Sequence, residues 1–286
     1  MAQALQITQS TQGARWPWGG HAINQPADLH ESLKECLRDL HLPTIRDEYE
    51  SAGQRARQES SSYERYLLDL TERERETRRS NRIERLLRES RLFMEKSLST
   101  LDLKRLPPKA AQQVRSLLEG GFVERHENVL IFGNPGSGKT HVACAIGQEL
   151  IRAGRKVMFA TCGLMVQDLL AAKRDLKLRG FLKKISQYHV MILDDIGYVQ
   201  YSREEMEVLF TLLAERYERG SVVLTSNLAF SGWETIFKDP MTTAAAIDRL
   251  VHHSVILELN VPSYRAEQAK KAGQKPSGSA DSSKEV

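Results

Sequence analysis

Cysteine is scarce: the chain has three, Cys36, Cys144 and Cys162. The number is odd and no pair has Cys-x-x-Cys spacing, which argues against a disulfide framework or a zinc site and for a reducing cytoplasm. No apolar run approaches the ~18–20 residues that a spanning helix needs, so no membrane association is expected. The N-terminus, MAQALQITQSTQGARWPWGG, lacks the charged start and apolar block of a secretory signal. Charge of one sign is not in large excess either: 41 Lys+Arg against 37 Asp+Glu give a net +4, so its distribution matters more than its sum. What is present is ordinary globular composition, and 286 residues suffice for one large domain or two modest ones with a real core.

Residues 1–27 are rich in Gln, Thr, Gly and Pro and are expected to be a poorly ordered extension. A helical region, 28–121, follows. Asp28 with Glu31 resembles a capping box, and Leu29, Leu33, Leu37 and Leu40 keep helical spacing. Pro43 can open a second helix. Ser61 with Glu64 suggests another capping box, with Tyr63, Tyr66, Leu67 and Leu70 on one face behind it. Thr71–Arg82 has no apolar residue, and apolar spacing resumes at Ile83, Leu86 and Leu87. Pro107-Pro108 starts a short helix that Gly120-Gly121 stops.

From 122 to 265 short apolar runs alternate with helix-period segments. The runs are Val129–Phe132, Val157–Ala160, Val190–Leu193, Val222–Thr225 and Val255–Leu259. Ser202 with Glu205 forms a capping box at the start of one of the helical segments. Such alternation predicts an α/β fold with a parallel five-stranded sheet covered by helices on both faces. Residues 266–286 are polar and low in complexity, an expected disordered tail.

Gly133-Asn134-Pro135-Gly136-Ser137-Gly138-Lys139-Thr140, followed by His141, is a P-loop between an apolar strand and an amphipathic helix. Its glycines let successive N–H groups point inward, and these with the positive helix end suit a triphosphate. Lys139 is expected on the β- and γ-phosphates of ATP and Thr140 on Mg²⁺. Val190–Leu193 runs into Asp194 and Asp195, where a buried parallel strand opens at the ligand crevice. Asp194 would hold Mg²⁺ and Asp195 would orient the attacking water; the other reading is a solvated acidic turn. Asn227, at the end of the fourth strand, either positions that water or is a turn residue. Arg249, in AAAIDRLVHH, is an arginine finger for a neighbouring subunit or pairs with Asp248.

Arg75, Arg78, Arg79, Arg82 and Arg85 form a helical stripe suited to repeated phosphate contacts. Neighbouring glutamates leave a merely solvated helix face as the alternative. No aromatic residue interleaves Arg73–Arg91, which favours duplex backbone over stacked single strands.

The order GNPGSGKTH, ILDDIGY, ERYERGSVVLTSN, FSGWETIFKDP, AAAIDRLVHHS and SYR resembles the IstB-like ATPases, helper proteins of bacterial insertion sequences, and more distantly the DnaC helicase loaders. The likeness covers about residues 29–265. It implies an AAA+ P-loop ATPase domain at 122–265, with the P-loop strand beside the Asn227 strand. It further implies that Asn227 is the first sensor, that Arg249 is the trans finger and that Arg265 lies near the nucleotide. The helical region would contribute DNA contacts and oligomerisation. The family assembles with ATP on double-stranded DNA and assists a partner transposase of the IstA type. Asn260 departs from the pattern, standing where glycine is expected before SYR. The expected function is therefore a cytoplasmic, Mg²⁺-dependent, DNA-binding ATPase that aids transposition. A DnaC-like helicase loader and a P-loop small-molecule kinase are the alternatives.

Overall fold

The computed structural model describes residues 26–197, 201–229, 232–233, 247–248, 250–264 and 267. The expected extension and tail fall almost wholly outside these residues. The chain divides into two compact units between Asn81 and Arg82, within a helix. The boundary expected from the sequence, at 121/122, falls inside the second of these units. Residues after 81 carry Leu86, Leu92, Leu106, Ala110, Val114 and Leu117 into the same apolar cluster as the sheet. Among the described residues no helix is long and apolar enough to cross a membrane.

The first unit contains α1 (Pro26–Asp39), α2 (Pro43–Gln58) and the start of α3 (Tyr63–Ser90). Pro43 sits in the first turn of α2, where its missing N–H costs no helical bond. A small core joins Leu37, Ile45, Tyr49, Ala52 and Leu70. Glu74 is buried under α2 and accepts the Thr44 N–H at 2.8 Å and the Ile45 N–H at 3.1 Å. It thereby caps that helix from another element. Burial pushes its carboxyl up, but Arg78 and the two backbone donors outweigh this and hold it below the usual range.

Three local expectations need correction. α1 begins at Pro26, so Asp28 lies inside its first turn rather than capping it. Of the four spaced leucines only Leu37 is buried; Leu29, Leu33 and Leu40 are exposed. The cap of α3 is Ser62, whose hydroxyl takes the Arg65 N–H at 3.3 Å, not Ser61. Tyr63 and Leu67 are exposed, leaving Leu70 as the buried residue of that face. Helical spacing reveals an apolar stripe but not whether a partner element covers it.

The second unit adds α4 (Pro108–Leu118), α5 (Gly121–Glu124), β1 (Asn128–Gly133), α6 (Lys139–Arg152), β2 (Val157–Thr161), α7 (Cys162–Arg174), α8 (Leu178–Ile185), β3 (Val190–Ile196), α9 (Arg203–Arg216), β4 (Ser221–Ser226) and β5 (Ser254–Leu259). All strand pairs are parallel, in the order β2-β3-β4-β1-β5. Successive residues of a strand face opposite sides. Val129, Ile131, Val190, Ile192 and Val223 therefore join α4 and α6 on one face. Leu130, Phe132, Met191, Leu193, Val222 and Leu224 join α7 and α9 on the other. Both faces are covered, which explains why the strands read as continuous apolar runs. Ser202 caps α9 in the expected box with Glu205.

Arg216, at the end of α9, is buried and bonded to backbone. Its guanidinium donates to Tyr188 O at 2.9 Å, His189 O at 3.0 Å and Ser221 O at 3.1 Å. It thus ties together the chain entering β3 and β4, and burial pulls its pKa down to about 10. A Cβ at Gly220 would press on this guanidinium. Arg216→Ala should destabilise the second unit by about 3 kcal/mol or more, because several buried carbonyls would be left without a donor. Arg216→Lys should recover only part of this, since a single ammonium cannot reproduce the fork. Thermal unfolding of both variants checks the ranking.

Candidate nucleotide site

The site gathers where β1, β3 and β4 end. Parallel strands place their C-terminal ends on one side of the sheet, and β4 lies between β1 and β3. The loop after β1 wraps the start of α6. Gly136 has φ +80°, and a Cβ there would meet Ser263 Cβ at 2.9 Å. Gly138, at φ +95°, caps α6 in a left-handed conformation that glycine adopts without strain. The Lys139 amine donates to Gly133 O at 2.8 Å and Asn134 O at 3.1 Å, so it is folded onto the loop itself.

Thr140 and Asp194 come together from separate elements. The Thr140 hydroxyl lies 3.0 Å from each carboxylate oxygen of Asp194. Asp194 is buried, and Thr225 of β4 donates to its Oδ1 at 2.7 Å. The Thr225 hydroxyl also accepts the Asp195 N–H at 2.9 Å. Sequence reasoning missed Thr225. Its signal is its place in the sheet, between the P-loop strand and the acidic strand, which no spacing reveals. Asp195 itself has φ +61°, and the register between β3 and β4 shifts between Leu193 and Ile196. The bulge turns Asp195 out of the strand alternation toward the cavity that it lines.

That cavity has a volume of about 660 Å³. Pro135 to Val142 and Asp195 form one side, and Lys96, Thr100, Leu101, Asp102, Arg105, Leu106, Val261, Pro262 and Tyr264 complete it. The stretch 96–106 falls in the region expected, from sequence, to belong to the N-terminal domain. It is fastened to α6 by two side chains. His141 Nε2 lies 3.0 Å from Ser97 O and 3.1 Å from Thr100 Oγ1. Gln148 donates to Phe93 O at 2.9 Å and Lys96 O at 3.2 Å. At the far wall the Arg105 guanidinium lies 4.9 Å from the Tyr264 ring centre and 3.0 Å from Glu267.

The other expected site residues are distributed differently. Asn227 is not among the cavity-lining residues, but its Oδ1 is shielded and has no hydrogen-bond partner among the described residues. Arg249 and Arg265 lie outside the described residues. Arg75, Arg78, Arg79, Arg82 and Arg85 are all exposed on α3. They are not equally available: Arg78 bonds Glu74 at 2.7 Å and also His41 O, Arg85 lies 4.0 Å from Glu89, and Arg82 reaches Gly154 O at 3.4 Å.

The residues fit a phosphate ligand and a hard cation on geometry alone. Ser137 Oγ is buried inside the loop without a hydrogen-bond partner among the described residues, as a group awaiting an external one would be. Thr140 and Asp194 offer oxygen donors of the kind Mg²⁺ takes.

Comparison with known proteins agrees with this arrangement. The family model described as IstB-like ATP binding protein matches residues 35–272. A putative insertion sequence ATP-binding protein of Sinorhizobium fredii is 38% identical over 251 residues, covering 86% of this chain and 84% of the relative. The insertion sequence IS21 putative ATP-binding protein of Pseudomonas aeruginosa is 36% identical, over 86% of this chain and 92% of the relative. Among solved structures, the DnaC helicase loader matches with a TM-score of 0.50 at 18% identity, over 58% of this chain and 97% of that one. AMPPCP-bound DnaA from Aquifex aeolicus matches with a TM-score of 0.51 at 17% identity, over 65% of this chain and 57% of that one. These structural likenesses speak to the fold alone. Family match and relatives together lead to one conclusion: the chain belongs to the IstB-like ATP-binding proteins of insertion sequences.

Proposed function

We propose that this protein is a cytoplasmic ATPase that assembles with ATP on double-stranded DNA and assists the transposase of its insertion sequence. The observation that carries the ATPase part is the Thr140–Asp194 pair, two oxygen ligands from different elements brought to one point beside the P-loop. The relatives' description as insertion sequence ATP-binding proteins supports the transposition role over that of a helicase loader.

The residues divide the work by chemistry. Loop N–H groups and the positive end of α6 bind the triphosphate oxygens, and Lys139 and Ser137 add a charge and a hydroxyl. Thr140 and Asp194 would hold Mg²⁺, which when bound neutralises charge building on the phosphates. Asp195 orients the attacking water and takes its proton, with its backbone held by Thr225. Asn227 would help position that water after a side-chain movement, because its Oδ1 is shielded and outside the cavity lining. Arg249 acts from a neighbouring protomer on the γ-phosphate, so ATP stabilises the assembly and hydrolysis, by removing that phosphate, loosens it. The arginines of α3 meet the duplex backbone, with Arg75 and Arg79 the best placed, since no ion pair engages them among the described residues.

Asp195→Asn should retain ATP binding and lower turnover by about 10²–10⁴-fold, the usual contribution of a general base. Thr225→Val should lower turnover as well, because it removes an anchor from both Asp194 and Asp195, while affinity for nucleotide without Mg²⁺ stays near that of the parent. Phosphate release and nucleotide titration measure both; normal turnover in Asp195→Asn would remove that residue from the mechanism. Replacing Arg75, Arg79, Arg82 and Arg85 with Gln should flatten the dependence of duplex affinity on salt by about 0.9 for each phosphate no longer neutralised. An unaltered slope would leave α3 as a solvated face.

A further inference from the structure

The nucleotide cavity has two ends of different chemistry. Gly136 to Thr140 form the phosphate end. Beyond them the cavity becomes a slot between two stretches of chain. Leu101, Arg105 and Leu106 stand on one wall, and Val261, Pro262 and Tyr264 on the other. A cavity of about 660 Å³ is of the size that holds a whole nucleotide, and the carbon-rich slot suits its nucleoside. Arg105 and Tyr264 both line the cavity and both reach solvent, which places them at its rim.

The two walls are anchored differently. The first ends in a short 3-10 turn, Leu103–Arg105, capped by Asp102, whose carboxylate accepts the Lys104 N–H at 3.1 Å. Leu106 is buried, and Leu101 and Leu103 pack on the same apolar cluster, so Arg105 projects from a fixed base. The second wall follows β5. From Asn260 to Tyr264 no side chain is buried. This stretch is held to the phosphate loop by the Tyr264 N–H, which donates to Gly136 O at 3.0 Å. A turn further on, the Glu267 N–H donates to Ser263 O at 3.1 Å. The second wall is therefore the one that can lift. Arg105 joins it to the first: its guanidinium lies against the Tyr264 ring and pairs with the Glu267 carboxylate. The side chains of Arg105 and Glu267 are 28% and 39% exposed. Contacts this open to water add little to the stability of a fold.

We propose that Arg105 is a clasp: by holding Tyr264 and Glu267 it keeps the slot shut around a bound nucleoside and slows the departure of ADP. In this role it is a positioning residue, acting through the wall that carries Tyr264 rather than on the phosphates. The modest strength of its contacts suits the task. An exposed ion pair and a cation–π contact together bias an equilibrium by about three- to tenfold, enough to favour the shut wall and still allow exchange. The inference rests on the reading of the cavity as an ATP site and adds to it a residue that governs release.

The test follows the release of radiolabelled ADP from the full chain after a chase with unlabelled ADP. Arg105→Glu sets two carboxylates against each other, and Glu267→Arg two guanidiniums. Each should speed release by about three- to tenfold, with thermal unfolding close to that of the parent. The double exchange, Arg105→Glu with Glu267→Arg, restores opposite charges and should return the rate to within about twofold of the parent. Affinity for inorganic triphosphate, which stops short of the slot, should be the same in all four proteins. Parent-like release from both single variants overturns the clasp, and so does a double exchange that releases ADP as fast as the single ones. A loss of triphosphate affinity as large as that for ADP overturns its placement at the nucleoside end. If the parent binds no ADP, the ATP-site reading itself fails and the clasp falls with it.

Discussion

One buried carboxylate organises the nucleotide end of this protein. Asp194 is shut away from water at the end of β3, and a buried charge needs partners. It has two, the Thr140 hydroxyl from the P-loop helix and the Thr225 hydroxyl from β4. These bonds lock three elements into one register. Thr225 also holds the Asp195 N–H, at the point where the strand register shifts.

The same end of the molecule is tied to the chain ahead of β1. His141 and Gln148 project from α6 onto the backbone of the 93–100 stretch, which follows directly on α3. α6 therefore carries the phosphate-binding loop at its start and anchors the exit of the arginine-rich helix along its side.

Much of this was legible from residue pattern, for identifiable reasons. The strands are buried on both faces, so Val129–Phe132 and Val190–Leu193 stand out as apolar runs, and their boundaries agree with the structure to within a few residues. The P-loop is contiguous and so announces itself. Thr225 is the opposite case: it matters because β4 inserts between β1 and β3, a fact of topology and not of local sequence. The bulge at Asp195 was hidden because it is defined by the pairing of β3 with β4, which local sequence does not reveal. The division at Asn81/Arg82 was hidden because it falls inside one continuous helix, with no proline or glycine to mark it. The exposed Leu29, Leu33 and Leu40 show that helical periodicity identifies a stripe without saying what covers it.

The central claim is that Asp194 and Thr140 form the metal-bearing half of an ATP site. The most direct measurement is titration of a fluorescent ATP analogue with and without Mg²⁺, in the parent protein and in Asp194→Asn, each shown to be folded by thermal unfolding. The account predicts that Mg²⁺ strengthens binding to the parent and that this gain disappears in the variant, while metal-free binding survives. An equal gain from Mg²⁺ in both proteins would contradict it.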